Sequence, residues 1–323
     1  MLNNTKKLVV YLDTATLEYM FLSYSERRNY PVMNKLFSVL NEGFENNVLC
    51  TPLSLDHLQP YIEKNQIDRK FLNMMGELGQ VQFHQRFTVK MLQLIRVVNY
   101  FFEQMYKKDI WKDGFTSDPD ERFVPGFNKY RAITAQNTIK ALEREKKLSQ
   151  LYFFIEKFKS GKKADSLAAD HYKFFWEKFP DLIKPYLPLD GTPEENMKRF
   201  FEYEDIREIP EFHIVSTILY PLFETYGIED IEYGMKDDIL MDAETAACYM
   251  PYSHYYVTVS DIAEQFIENG VSDIYDVKVY DNSEKSLYKL IEDISKGVAN
   301  IKASETKNEG KTQFRYGQSK NLY

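Results

Sequence analysis

The sequence predicts an α/β protein in which a parallel sheet lies between layers of helices, with a large helical insertion. Strands of buried type followed by helices occur at both ends of the chain, whereas no clear strand occurs from about 66 to 226. Alternation of strand and helix favours parallel pairing with right-handed crossovers. We therefore expect a discontinuous α/β domain over 1–65 and 227–295, a helical insertion over 66–226, and a polar, disordered tail over 296–323.

Composition limits the class of protein. Apolar residues make up 44% of the 323 residues, which is enough for a substantial core. No segment approaches 18 uncharged apolar residues, so we expect no membrane span. Cys50 and Cys248 lie in apolar surroundings, which suits a reducing cytoplasm and argues against a disulfide scaffold. The absence of CxxC and HExxH motifs argues against a structural zinc site.

The N-terminal elements follow the α/β alternation. Residues 6–13, KKLVVYLD, form an apolar strand without the small-residue cleavage site of a signal peptide, and Asp13 stands at the carboxyl end of that strand. Pro31 suits the first position of a helix that Gly43 would end. Residues 48–51 form the next short strand.

The same alternation resumes near the C-terminus. An acidic helix is expected after Gly234, strands over 255–259 and 274–280, and a helix over 283–294. Within the insertion, large apolar residues recur with a period of 3.6 over 83–105 and predict one long amphipathic helix whose apolar face packs in a core.

Carboxylates are concentrated at the start of the acidic helix. Asp237, Asp238, Asp242 and Glu244 fall within eight residues. Asp238 and Asp242 share a helix face, where like charges repel by a few tenths of a kcal/mol. A divalent cation would turn this repulsion into binding, because Mg²⁺ and Mn²⁺ prefer carboxylate ligands. The alternative is that these acids cap the helix and interact with its dipole.

A basic segment contrasts with this acidic one. Between Lys129 and Lys163 there are ten Lys/Arg against three Glu, a local net charge of +7 in a chain whose total is −8. Such a segment could grip a polyanion, although solvated helix faces are often basic as well. Aromatic residues lie among the cations, which would let nucleic-acid bases stack. The candidate nucleic-acid-binding residues are Lys140, Arg144, Lys147, Lys157 and Lys159.

Four stretches resemble the PIN-like domain family. VVYLDTATL is similar to the first strand of the family and its acid, and VLCTPLSLDHL to the second strand and following helix. DAETAACYMPYSHYYVTVSD resembles the late helix–strand segment, and DVKVYDNSEKSLYKLI the last strand and helix. The resemblance covers about 130 residues, divided between the two ends of the chain.

The resemblance implies a parallel α/β/α sandwich and metal-dependent hydrolysis of phosphodiester bonds in nucleic acid, with RNA favoured over DNA. Carboxylates at the strand ends would hold Mg²⁺ or Mn²⁺, which would activate water and stabilise charge in the transition state. Asp13 matches the acid of the first strand, Asp242 or the nearby Asp238 matches the helix acid, and Asp261 matches the acid after the late strand. These four are the candidate catalytic and metal-binding residues.

Three other enzyme classes lack a residue or motif that they require. A haloacid-dehalogenase-type phosphatase needs a second Asp where Ala15 stands, and neither the glycine-rich turn of a Rossmann enzyme nor a GxSxG motif is present. The main rival is a catalytically inactive PIN-like module that binds nucleic acid or protein. It is favoured by Ser260 and Pro60, which stand at places where the family has acids. We expect a cytoplasmic protein with no membrane association, and a protein partner or homo-oligomer remains an option.

Overall fold

The computed structural model describes residues 7–54, 57, 68–78 and 236–317, with isolated residues between 89 and 218; for 236–241 and 304–317 it describes only the helical backbone. Along these residues no helix is long and apolar enough to cross a membrane. The elements in chain order are β1 (Leu8–Tyr11), α1 (Thr14–Tyr24), α2 (Pro31–Glu45), β2 (Leu49–Cys50), α3 (Arg69–Leu78), α4 (Lys236–Tyr249), a 3₁₀ turn (Met250–Tyr252), β3 (Tyr255–Thr258), α5 (Ser260–Glu268), α6 (Val271–Ile274), β4 (Lys278–Asp281) and α7 (Glu284–Gly317).

The four strands form one parallel sheet in the order β2-β1-β3-β4. β1 pairs with β2 through Val9 and Cys50, and with β3 through Val10 and Tyr255. Strands from the two ends of the chain therefore lie side by side. The predicted α/β class with a parallel sheet is confirmed.

The two faces of the sheet pack against separate cores, because side chains alternate along a strand. Val9 and Tyr11 of β1 belong to a core that also contains buried residues of α4 and α5. Val10 and Leu12 belong to a second core with buried residues of α1, α2, α3 and α7. Each fully buried side chain of this size contributes about 1.5–3 kcal/mol. Helices thus cover both faces.

Helices α2 and α7 run side by side in the same direction. Near their starts, the Lys35 ammonium lies 5.4 Å from the ring centroid of Tyr288, and further along Lys302 pairs with Glu42 at 3.7 Å. Since α7 starts where β4 ends, the first turns of α2 also lie toward the carboxyl ends of the strands.

Gly43 does not end α2, as the sequence suggested, but lies inside it. A Cβ at this position would lie 2.9 Å from Cβ of Leu49, so the glycine permits close packing of α2 on β2. The helix continues to Glu45, and Asn47 then adopts a positive φ of 60° in the turn to β2.

Asp293 fastens α7 to the sheet. Its Oδ2 accepts a hydrogen bond from the Tyr280 hydroxyl at 2.6 Å, and its backbone carbonyl accepts one from the Tyr255 hydroxyl at 3.1 Å. The Lys278 ammonium lies 3.5 Å from the same Oδ2. Burial, followed by the hydrogen bond to Asp293, raises the pKa of Tyr280.

Two predicted boundaries near the C-terminus differ from the structure. Ile274 ends the short helix α6 and β4 starts only at Lys278, because the left-handed Gly270 starts a helical turn there. The helix expected to end at Ile294 continues to Gly317, through a stretch expected to be a disordered tail. That stretch contains no proline and many good helix formers, and the helix continues through Gly297 and Gly310.

Candidate active site at the carboxyl edge of the sheet

Asp13 follows β1 and begins α1. Its backbone is extended, with φ −65° and ψ 166°, and its Oδ1 accepts a hydrogen bond from the Thr16 amide at 2.8 Å. The side chain is therefore the N-cap of α1. Its Oδ2 is buried and accepts no hydrogen bond within the described structure. One carboxylate oxygen caps the helix, and the other has no partner.

The surroundings of Asp13 disfavour its charged form. Burial raises the pKa of the Asp13 carboxyl, and hydrogen bonding from Thr16 offsets only part of this effect. The hydroxyl of Thr16 is also buried; it lies close enough to the Asp13 carboxyl to lower its pKa, although it makes no well-formed hydrogen bond among the described residues. Each such group costs about 1–3 kcal/mol. A carboxyl group with one buried, unpartnered oxygen at this place is a candidate for a functional position.

Asp13 occupies the topological switch point of the sheet. From β1 the chain proceeds to β2 on one side, whereas from β3 it proceeds to β4 on the other side. The connections therefore diverge between β1 and β3. In open α/β sheets, ligands bind in the crevice that this divergence leaves at the carboxyl ends of the strands.

His57 secures the backbone next to Asp13. Its Nδ1 accepts a hydrogen bond from the Ser54 amide at 3.1 Å, so Nε2 carries the proton and donates to the Leu12 carbonyl at 2.7 Å. The ring is 1% exposed and lies against Tyr11, with centroids 5.1 Å apart. Because both nitrogens are engaged, His57 fixes the peptide before Asp13 and is not a metal ligand. Its isolated position in the sequence gave no signal of this role.

Thr258 and Asp281 lie level with Asp13 at the same edge. Thr258 pairs with Asp281, and extending the β1–β3 register by two residues places Asp13 opposite Thr258. With strands about 4.8 Å apart, the Cα atoms of Asp13 and Asp281 are about 10 Å apart. Asp281 was not among the predicted site residues. Its signal was an acid at the end of an apolar strand, the feature that singled out Asp13.

Helix α4 brings Asp242 toward this edge. Five residues separate α4 from β3, and α4 packs on the sheet through Ala243 and Ala246, so it runs back along β3 with its first turns toward the carboxyl ends of the strands. Asp242, one helical turn before Ala246, is half-buried. Asp238 lies one turn earlier on the helix, and its side chain is outside the described structure. Glu244 is 6% exposed.

Asp261 is exposed in the first turn of α5, which follows β3 after Val259. There it interacts favourably with the helix dipole. Its position at the carboxyl edge agrees with the prediction that an acid follows this strand, but its exposure contrasts with the buried Oδ2 of the half-buried Asp13.

The carboxylates at this edge of the sheet are of the chemical type that binds hard cations, although the described ones do not form a cluster. Among the described side chains, no group of three or more His, Cys, Asp or Glu is placed to hold a metal ion. Mg²⁺ commonly uses only one or two protein carboxylates together with water and substrate phosphates. The Oδ2 of Asp13 and the half-buried Asp242 are carboxylate groups of that kind.

The predicted basic residues Lys140, Arg144, Lys147, Lys157 and Lys159 lie outside the described residues. Pro60 also lies outside them. Of the long amphipathic helix expected over 83–105, only Val89 and Gln93 are described. Gln93 donates to the Ala247 carbonyl of α4 at 3.0 Å. The segment between the two ends of the sheet therefore contacts α4 at this point.

The chain was compared with protein-family models, with curated proteins and with solved structures. No family model, no curated protein and no solved structure matches it.

Proposed function

We propose that the protein is a metal-dependent nuclease that hydrolyses phosphodiester bonds, with RNA as the favoured substrate, at a site centred on Asp13. The observation that carries this proposal is the buried, unpartnered Oδ2 of Asp13 at the switch point of a parallel sheet. The resemblance of the two chain ends to PIN-like domains supports the same reading.

Asp13 and Asp242 are the proposed ligands of a Mg²⁺ or Mn²⁺ ion, with Asp238 and Asp261 as further acids of the site. When bound, such an ion would activate water and stabilise negative charge on the phosphate. The chain prepares Asp13 for this role. Thr16 fixes one of its oxygens, and His57 fixes the peptide before it, so the carboxylate is oriented before any ligand arrives.

The protein would act in the cytoplasm, in keeping with two buried cysteines that form no disulfide. The basic residues proposed for nucleic-acid binding, Lys140, Arg144, Lys147, Lys157 and Lys159, would guide the substrate by phosphate contacts.

A second candidate is an inactive PIN-like module that binds nucleic acid or a protein partner. Two observations favour it. Asp261 is exposed, and no three-ligand cluster is present among the described side chains. In that case Asp13 would be a helix cap and nothing more.

The test is cleavage of labelled single-stranded RNA and DNA with Mn²⁺ or Mg²⁺ by the wild type, by Asp13→Asn and by Asp242→Asn. Asp273→Asn is the matched control, because it neutralises an exposed carboxylate on α6. Metal-dependent cleavage that Asp13→Asn and Asp242→Asn abolish and the control retains would support the nuclease. Nucleic-acid binding without cleavage by the wild type would favour the inactive module. Cleavage retained by both variants would place the activity elsewhere.

A further inference from the structure

An exposed cation lies with two tyrosines at the junction of α1 and α2. Tyr19 is 43% exposed and meets Tyr30 edge-on, with ring centroids 5.4 Å apart. The guanidinium Nη1 of Arg28 donates to the Tyr30 hydroxyl at 3.3 Å. These three residues are called the Arg28 cluster.

A second cluster of this kind lies on α2 and α7. Tyr288 is 36% exposed, and the Lys35 ammonium stands 5.4 Å from its ring centroid. Lys285 and Lys289, both exposed, flank Tyr288 on α7. They are four residues apart, a spacing at which like charges repel. These four residues are called the Tyr288 cluster.

The cations of both clusters lack carboxylate partners. Within the described structure, neither Arg28 nor any lysine of the Tyr288 cluster forms an ion pair, whereas Arg27, Lys278, Lys296 and Lys302 all do. Unpaired cations are notable in a chain of net charge −8. These cations are therefore available to an external anion.

Both clusters lie toward the end of the sheet where Asp13 is found. α1 starts at Asp13, and Tyr19 is six residues further, an axial rise of about 9 Å. α7 starts just beyond β4, and Tyr288 lies near its start. Tyr30 and Lys35 lie at the beginning of α2, beside that part of α7.

We propose that the Arg28 and Tyr288 clusters together form a binding surface for single-stranded nucleic acid that leads to Asp13. Exposed tyrosine rings offer stacking platforms for bases, and unpaired cations beside them contact the phosphates. The surface lies outside the predicted insertion, so it is additional to the basic residues predicted there. The inference rests on the proposed function, because it names where the substrate of that site is held.

The experiment measures fluorescence anisotropy of fluorescein-labelled oligouridine RNA and oligothymidine DNA in EDTA, where metal-dependent cleavage cannot proceed. The variants are Tyr288→Ala and the double variant Lys285→Glu/Lys289→Glu. Lys296→Glu/Lys302→Glu is the matched control, because it makes the same change of net charge further along the same helix. Circular dichroism and thermal melting verify that each variant is folded.

Tyr288→Ala should weaken binding about fivefold or more, the loss expected for one stacked base. Lys285→Glu/Lys289→Glu should weaken it further and reduce the slope of log affinity against log salt concentration. The control should weaken binding less than the double variant on the Tyr288 cluster. Comparing the two oligonucleotides shows whether RNA or DNA is preferred.

Equal binding by wild type and cluster variants would overturn the inference, as would equal weakening by the cluster and control double variants. Absence of binding by the wild type to either oligonucleotide would also overturn it. The nuclease proposal is tested separately, by comparing metal-dependent cleavage by the wild type and by Asp13→Asn. Asp13→Asn could abolish cleavage while the Tyr288-cluster variants bind as well as the wild type. That result would support the nuclease proposal and contradict the proposed binding surface.

Discussion

Replacing Asp13 by asparagine should make the protein more stable, although it removes the central residue of the proposed site. The wild-type carboxylate holds one oxygen buried and without a partner. Asparagine caps a helix about as well as aspartate, so the hydrogen bond from the Thr16 amide is kept while the charge is lost. The substitution therefore removes the cost of burying a charge and leaves the helix cap intact.

The magnitude follows from the difference between a charged and a neutral buried group, because in asparagine the amide Nδ2 takes the place of the unpartnered Oδ2. An unsatisfied buried group costs about 1–3 kcal/mol and a charged one costs more, so removing the charge should contribute about 1 kcal/mol. For a domain of this size each kcal/mol shifts Tm by about 2–4 °C, so Asp13→Asn should raise Tm by about that amount at neutral pH. Asp13→Ala should give less, because alanine also loses the cap, at about 0.5–2 kcal/mol. Asp273→Asn, at an exposed position, should remain within about 0.5 kcal/mol of the wild type.

The pH dependence gives a sharper test. Because burial raises the pKa of folded Asp13 above its ordinary value of 3.8, the penalty is absent below that value and appears as pH rises through the raised pKa. The advantage of Asp13→Asn should thus grow from about pH 4 toward neutrality in denaturant titrations. An asparagine variant no more stable than the wild type at neutral pH would refute the argument. Mn²⁺ should stabilise the wild type and not the variant if the carboxylate binds metal.

Three further perturbations test the fold around the site. Gly43→Ala should destabilise the protein by about 1–2 kcal/mol in urea titrations, because the new Cβ meets that of Leu49 and this strain exceeds the gain in helix propensity. His57→Ala should lower the free energy of unfolding by about 2–4 kcal/mol in the same assay, since the buried Leu12 carbonyl loses its donor. An unchanged urea midpoint would contradict the idea that His57 stabilises the peptide before Asp13. Burial lowers the pKa of His254, although Asp276 raises it, so the stability that the neutral ring supports should be lost as pH falls below about 6.5. Thermal melts of His254→Gln should show a weaker pH dependence over that range.

The local sequence was sufficient to predict the four strands, apart from the start of β4, and to place Asp13 at the end of β1. The run Leu8–Tyr11 is apolar on both faces because it is the central strand of a sheet covered on both sides, and that pattern can be read directly. An acid at the end of such a strand then follows from topology, since ligands of parallel sheets bind at their carboxyl ends. The same pattern is present at Asp281, which ends the last strand.

Features set by contacts distant in sequence could not be predicted. Gly43 looked like a helix terminator because its role depends on Leu49 packing against it. The role of His57 could not be predicted from a sequence pattern, because its two partners are a loop amide and the Leu12 carbonyl, 45 residues away. The end of α7 was missed because the sequence there lost its apolar period but retained strong helix propensity.

The pairing of β1 with β3 has a consequence for synthesis of the chain. His254 and Val9 hydrogen-bond to one another across a separation of 245 residues. At a translation rate of about 5–20 residues per second, β1 leaves the ribosome about 12–50 s before its neighbour. During that interval the apolar strand has an open edge, which is the form most prone to aggregate. Nascent chains stalled before residue 255 should therefore depend on chaperones more than completed ones do.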